Sequence, residues 1–173
     1  MTDFSMDVEA DGPAPGLFSM VSLGAVVVED GLQRTFYCEM RPLEGADWDP
    51  NALAISGKSR EEHLAMPDAS ICIPKFAAWV EENSNGRAIF WADNNGFDWQ
   101  FINYYMWRFN GSNPFGFSSQ NINSLWKGIN RNVYTSFKHL RKTKHTHHPV
   151  DDAKGNAEAL LAMRDTKRMK FGK

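Results

Sequence analysis

The spacing of apolar and polar positions changes several times along the chain, and each change marks an element. The stretch Phe4 to Glu9 and the long run Phe18 to Val28 are dense in strand-favouring residues, and Glu29-Asp30-Gly31 supplies a turn before a third such stretch, Thr35 to Met40. Three antiparallel strands are expected here. Residues Glu44 to Asn51 are acidic and turn-rich, Ser59 to Leu64 reads as a short helix, and Ile71 to Asn83 reads as a longer one with Pro74 near its start. Arg87 to Ala92 is a compact strand signal. DNNG then breaks the pattern, and FDWQFINYYMWRF is too apolar to show a single stripe, as expected of a mostly buried helix. Gly111 to Ser119 is loop-like, with a fifth strand expected near Phe115 to Ser118, and Asn121 to Ile129 reads as a short helix. From Val150 to Met163 apolar and small residues return at helical spacing, in an element that begins near Pro149.

Three strands followed by helix, strand, helix and a closing helix is the order of an α/β fold. A mixed sheet is expected, three antiparallel strands and then parallel ones, flanked by helices. The chain has 173 residues, 42% of them hydrophobic and 23% charged, which suits one sizeable core: a single domain over residues 1–166, with 167–173 as a basic C-terminal tail. No apolar run approaches the roughly 18 residues of a membrane span, and the N-terminus carries acids where a signal peptide carries basic and apolar residues. A cytoplasmic protein with no membrane partner is expected. The two cysteines, Cys38 and Cys72, lie in apolar surroundings without a CxxC spacing, so both read as buried thiols and not as a zinc site or disulfide.

The net charge of −2 conceals a division. Residues 1–100 hold 6 Lys/Arg and 17 Asp/Glu, and residues 101–173 hold 13 and 4. An acidic pocket beside a basic surface suits a polyanion delivered to metal-binding carboxylates, whereas uneven exposed charge is the plainer account.

The carboxylates themselves sharpen this. Asp7 and Glu9 stand two apart in a predicted strand, so both point to one face, where two acids need either solvent or a cation. Asp98 follows Asn94-Asn95-Gly96-Phe97 at a strand-to-helix junction, where an open α/β sheet commonly exposes its ligand-binding groups; helix capping is the alternative role. Near the end, HTHHPVDDA sets His147 four residues clear of Asp152, which opens a helix. His148 with Asp151 forms a competing pair.

Together these stretches resemble the DEDDh exonucleases of the RNase H-like superfamily. MDVEADG is similar to the first motif (D-x-E-x-x-G), with Asp7, Glu9 and Gly12 in place; NNGFDWQF is similar to the second (N-x-x-F-D), with Asn94, Phe97 and Asp98; HHPVDDA is similar to the third, with His147 and Asp152. The H-x-x-x-x-D spacing and Ala153 favour His147 over His148. The segment WDPNALAISGKSREEHL also looks like the helical region these enzymes carry between the third strand and the first long helix. Two positions depart from the pattern: Ala10 stands where many members carry threonine, and Pro13 where a larger apolar residue often lines the terminal base.

The resemblance implies two divalent ions, Mg²⁺ or Mn²⁺, held by Asp7, Glu9, Asp98 and Asp152, a donor set of hard oxygens that suits these ions over zinc. His147 is then the general base, a role suited to a side chain that ordinarily titrates near neutrality. The implied reaction releases 5′-mononucleotides from the free 3′ end of a single strand, with RNA or short oligonucleotides slightly favoured over DNA. Ala10, Gly12, Asn94 and Phe97 are expected around the terminal nucleotide. Lys142 and Lys144, with Lys138 and Arg141, are expected to hold phosphates leading in, and one or two of Trp91, Trp99, Tyr104, Tyr105 and Trp107 to receive a base. A DNA-directed repair or proofreading exonuclease, a non-catalytic nucleic-acid-binding module of the same fold, and a homodimer stay open.

Overall fold

The computed structural model describes residues 1–165; the basic tail expected over 167–173 lies outside them. The sheet runs β3-β2-β1-β4-β5. Strands β1 (Thr2–Ala10), β2 (Met20–Val27) and β3 (Thr35–Glu39) form the antiparallel part, and β4 (Ala88–Ala92) and β5 (Ser119–Asn121) add parallel to it. Helices α1 (Pro50–Ile55), α2 (Arg60–Leu64), α3 (Ala69–Glu82), α4 (Asn95–Phe109), α5 (Ile122–Asn130) and α6 (Pro149–Asp165) complete the order. The expected mixed sheet flanked by helices is therefore present.

Alternation along β1 decides what each face does. Phe4, Met6 and Val8 are buried in the large core formed with Ile73, Phe76 and Val80 of α3 and with Phe101, Ile102 and Tyr105 of α4. The odd-numbered positions, Asp7 and Glu9 among them, face the other side, where α6 packs across β1 and β2. Val26 of β2 meets Ala153 and Ala157 of α6 there, so small side chains on the helix bring it close to the sheet.

The fifth strand departs from expectation. Phe115 is a core side chain, 1% exposed, and the residues around it form a turn: the Phe115 N–H donates to Asn113 Oδ1, and Gly116, at φ +75°, donates to the Asn113 carbonyl. A backbone closed on itself in this way offers no ladder, and pairing with β4 begins only at Ser119. Of the two thiols, Cys72 is buried and Cys38 only half-buried, and both are free. No helix among the described residues is long and apolar enough to cross a membrane.

Candidate active site

Four acids converge because β1 outruns its neighbour. Pairing with β4 ends at Ser5↔Trp91, so the far half of β1 has an open edge on that side. The chain leaves β4 and turns into α4, and Asp98 in the first turn of that helix accepts a hydrogen bond from the Val8 N–H at 3.1 Å. A buried backbone donor without a strand partner is thereby satisfied, and Asp98, 2% exposed, is fixed beside Asp7.

Asp152 arrives from the opposite direction. Asp7 lies opposite Gly24 in the β1–β2 register, and the start of α6 rests on that glycine: a Cβ there would lie 2.4 Å from the carbonyl carbon of Pro149 and from the nitrogen of Val150. Only glycine allows this approach. Asp152, 1% exposed in the first turn of α6, is thus carried over the sheet, where Asp7, Glu9 and Asp152 have carboxylate oxygens within 4.8 Å of one another.

The electrostatics follow from this crowding. Burial, then Asp98, Glu9, Asp152 and Asp93, push the Asp7 carboxyl well above the usual range. Burial followed by Asp152 raises Glu9 to about 7. Asp98 is raised as well, chiefly by burial and then by Asp93, against the hydrogen bond from Val8. Among the described residues the Asp7 carboxylate has no hydrogen bond or ion pair. Acids held together in this state have a shortage of positive charge, and hard divalent cations fit a donor set made only of carboxylate oxygens. Asp93, at the end of β4, is a further acid that motif spacing did not single out; its one cue is its position at a strand end, five residues ahead of Asp98.

The loop before α6 brings in the histidines. His147 has a left-handed backbone (φ +60°), its N–H donates to Asp152 Oδ2 at 3.1 Å, and its ring Nδ1 lies 3.9 Å from Glu9 Oε1. His148 turns away and stacks on Tyr37, with ring centroids 4.5 Å apart. Asp151 accepts a hydrogen bond from Thr146 Oγ1 at 3.0 Å, outside the acidic cluster. His145, which spacing left unassigned, places Nδ1 2.7 Å from Asp152 Oδ1, and its ring meets that of His147 at 4.2 Å.

Beside the acids opens a cleft of about 420 Å³ lined by Glu9, Ala10, Gly12, Asn94, Phe97 and His147, together with Pro13, Asp49 and the α1 residues Ala52 and Ile55. Gly12 is needed here for packing, since a Cβ would fall 2.0 Å from the Phe18 ring. Asn94 occupies the N-cap position of α4 without a side-chain capping bond. Lys142 and Lys144 are exposed on the neighbouring loop and do not line the cleft. Arg141, grouped with them from sequence, is half-buried, its side chain turned inward and paired with Asp152 at 2.8 Å. The five aromatic candidates also lie elsewhere: Trp91 is 8% exposed and donates to Asp3, Tyr105 is fully buried, and Trp99 packs edge-on to Phe90. Tyr104 and Trp107 border a separate hollow, and the aromatic side chain in the cleft is Phe97.

Known proteins share this fold and part of this sequence. The nuclease domain of 3′hExo, a DEDDh family member solved bound to rAMP, superposes with a TM-score of 0.77 at 14% identity, covering 99% of this chain and 96% of that one. Escherichia coli exonuclease I in complex with a dT13 oligonucleotide superposes with a TM-score of 0.74 at 14% identity, over 96% of this chain, which spans 41% of that protein. The 3′-5′ DNA exonuclease Cap18 of Escherichia coli is 35% identical over 128 residues, 72% of this chain and 67% of that one. The fold is that of the DEDDh exonucleases, in the RNase H-like class. Residues 2–163 match the family described as the 3′-5′ exoribonuclease Rv2179c-like domain, and the chain belongs to that family. It is a 3′-5′ exonuclease acting on nucleic acid.

Proposed function

We propose that the chain removes 5′-mononucleotides from the 3′ end of single-stranded nucleic acid, with Asp7, Glu9, Asp98 and Asp152 holding two divalent ions, Mg²⁺ or Mn²⁺, and His147 acting as general base. The observation that carries this reading is the convergence of Asp7, Glu9 and Asp152 oxygens within 4.8 Å, beside a cleft that also contains His147. When bound, the ions supply activation of the attacking water and neutralisation of charge on the phosphate and the leaving oxygen. The residues do the rest. The cleft admits one terminal nucleotide against Phe97, Ala10 and Gly12 and keeps the scissile phosphate beside the acids. His147 accepts the proton of the water, and its proximity to Glu9 and the distance of His148, turned toward Tyr37, support it over its neighbour. Lys142 and Lys144, exposed on the loop that leads to His147, hold phosphates of the incoming strand.

RNA is the substrate we assign first, in keeping with the family's description as exoribonucleases. The 35% identity to a DNA exonuclease supports DNA as the second reading. End-labelled RNA and DNA single strands of one sequence, incubated with Mg²⁺, Mn²⁺ or EDTA, test both. Stepwise loss of 3′ nucleotides that requires the ions is expected, faster on RNA. His147→Ala should lower turnover about 10²–10⁴-fold and His148→Ala far less. Cleavage in EDTA, or internal cuts, would rule out the mechanism.

A further inference from the structure

Arg141 belongs to the basic stretch ahead of the third motif, yet its guanidinium is turned inward, with a side-chain exposure of 8% against 2% for Asp152. Its Nη2 donates to Asp152 Oδ1 at 2.8 Å and approaches the Asp152 carbonyl oxygen at 3.4 Å. To reach them it crosses α6 at Gly155, where a Cβ would lie 2.3 Å from Arg141 Nε. The next turn of the helix holds the backbone that follows: Glu158 Oε2 accepts from the N–H groups of Lys142 at 2.6 Å and Thr143 at 2.7 Å, and Glu158 Oε1 accepts from Thr143 Oγ1 at 2.9 Å. Asp152, Gly155 and Glu158 recur every three residues and so share one helix face, which forms a seat for this arginine and its loop.

We propose that Arg141 is a positioning residue for the metal site, selecting which oxygen of Asp152 is free to meet a cation. The inference rests on the reading of Asp152 as a metal ligand. A carboxylate oxygen has about two acceptor positions. Oδ1 accepts from Arg141 and is crowded by the His145 ring, whose Nδ1 lies 2.7 Å away, whereas among the described residues Oδ2 accepts only the His147 N–H. Arg141 therefore fixes the rotation of the carboxylate and leaves Oδ2 with capacity for the ion. Its positive charge opposes a cation nearby, so orientation must outweigh repulsion for the proposal to hold. The sign of a binding measurement decides between them.

The test is titration of Mn²⁺ alone into the full chain, free ion being followed by electron paramagnetic resonance, for wild type, Asp152→Asn, Arg141→Met, Arg141→Lys and Gly155→Ala. Arg141→Met and Gly155→Ala should each weaken Mn²⁺ binding about tenfold or more, the usual consequence of losing a hydrogen-bond partner of a metal ligand. Arg141→Lys should restore part of it, since an ammonium can still donate to Oδ1 and Arg141 Nε donates to nothing among the described residues. Gly155→Ala keeps the arginine and improves intrinsic helix propensity, so weaker binding there reports displacement of the guanidinium even if Arg141→Met folds poorly. At saturating Mn²⁺ the KM for a single strand and its salt dependence should stay at wild-type values. A raised KM with a flattened salt slope would assign Arg141 to substrate phosphates instead. A lowered melting temperature with unchanged Mn²⁺ affinity in both variants would make its role purely structural, and tighter binding would show that repulsion wins; each overturns the proposal. If Asp152→Asn bound Mn²⁺ like wild type, the metal reading of Asp152 would fall first.

Discussion

Two aspartates at the end of β1, Asp7 and Asp11, meet opposite fates. Asp11 is fully buried, yet each of its oxygens is engaged: Oδ1 accepts the Ser19 N–H and Oδ2 accepts Arg60 Nη1 at 2.6 Å. Burial raises its carboxyl, and these bonds offset only part of the rise. Asp7 is less buried, but its charged neighbours are acids and burial and repulsion all act in one direction. Asp11, supplied with its own cation and not crowded by other acids, is part of the fold. A carboxylate surrounded by other carboxylates is a place for a cation from solution.

The largest expected effect separates the two. Asp7→Asn should lower exonuclease turnover about 10³-fold while leaving stability in EDTA unchanged or raised, because a repelled charge is removed. Asp11→Asn should cost about 2–3 kcal/mol, less than a fully buried pair because Arg60 keeps some contact with water. Urea unfolding in EDTA beside initial rates on a labelled strand measures both. Equal destabilisation by the two substitutions would erase the distinction.

The comparison also shows what was legible in the sequence. That Asp7, Glu9, Asp98 and Asp152 come together was legible because their spacing is local to one strand or one helix start, and alternation in β1 set the first two on one face. The partners that decide each acid's character were not, since Arg60 meets Asp11 across 49 residues and Asp98 meets Val8 across 90. The succession of elements and the mixed sheet were legible, whereas β5 was not, because a core phenylalanine in a turn has the composition of a strand. The inward turn of Arg141 was not legible for a related reason: a run of basic residues looks solvated until Gly155 is known to admit one of them. Gly24 carried a usable cue, a glycine inside a strand whose other residues, Ser22 apart, are apolar. Gly24→Ala tests its part, since the methyl group must displace the start of α6 and carry Asp152 away from Asp7. A loss of about 1–3 kcal/mol with weakened Mn²⁺ binding is expected. Unchanged binding with lowered stability would confine the glycine to packing.

The smallest effect is a pH dependence that sets the crowded acids against the paired one. Glu9 titrates at about 7 in the folded chain and at its ordinary 4.5 unfolded, so between those values the folded state holds a proton that the unfolded state has released. Stability in EDTA should therefore fall as pH rises from about 4.5 to 7, with Asp7 and Asp98 acting in the same sense. His63, whose pKa burial lowers, works against this below its ordinary 6.5, so the contribution of Glu9 is read as the difference between wild type and Glu9→Gln. Melting temperatures at pH 5 and pH 8 should diverge less in Glu9→Gln. Adding Mn²⁺ should reverse the slope in wild type, since the ion requires ionised carboxylates and stabilises only the folded chain. Asp11→Asn should leave the slope in this window nearly as in wild type, because the bonds from Ser19 and Arg60 oppose the effect of burial on Asp11. Identical pH slopes for wild type and Glu9→Gln in EDTA would mean that the acids of the cluster are not in electrostatic conflict, and the contrast with Asp11 would lose its physical basis.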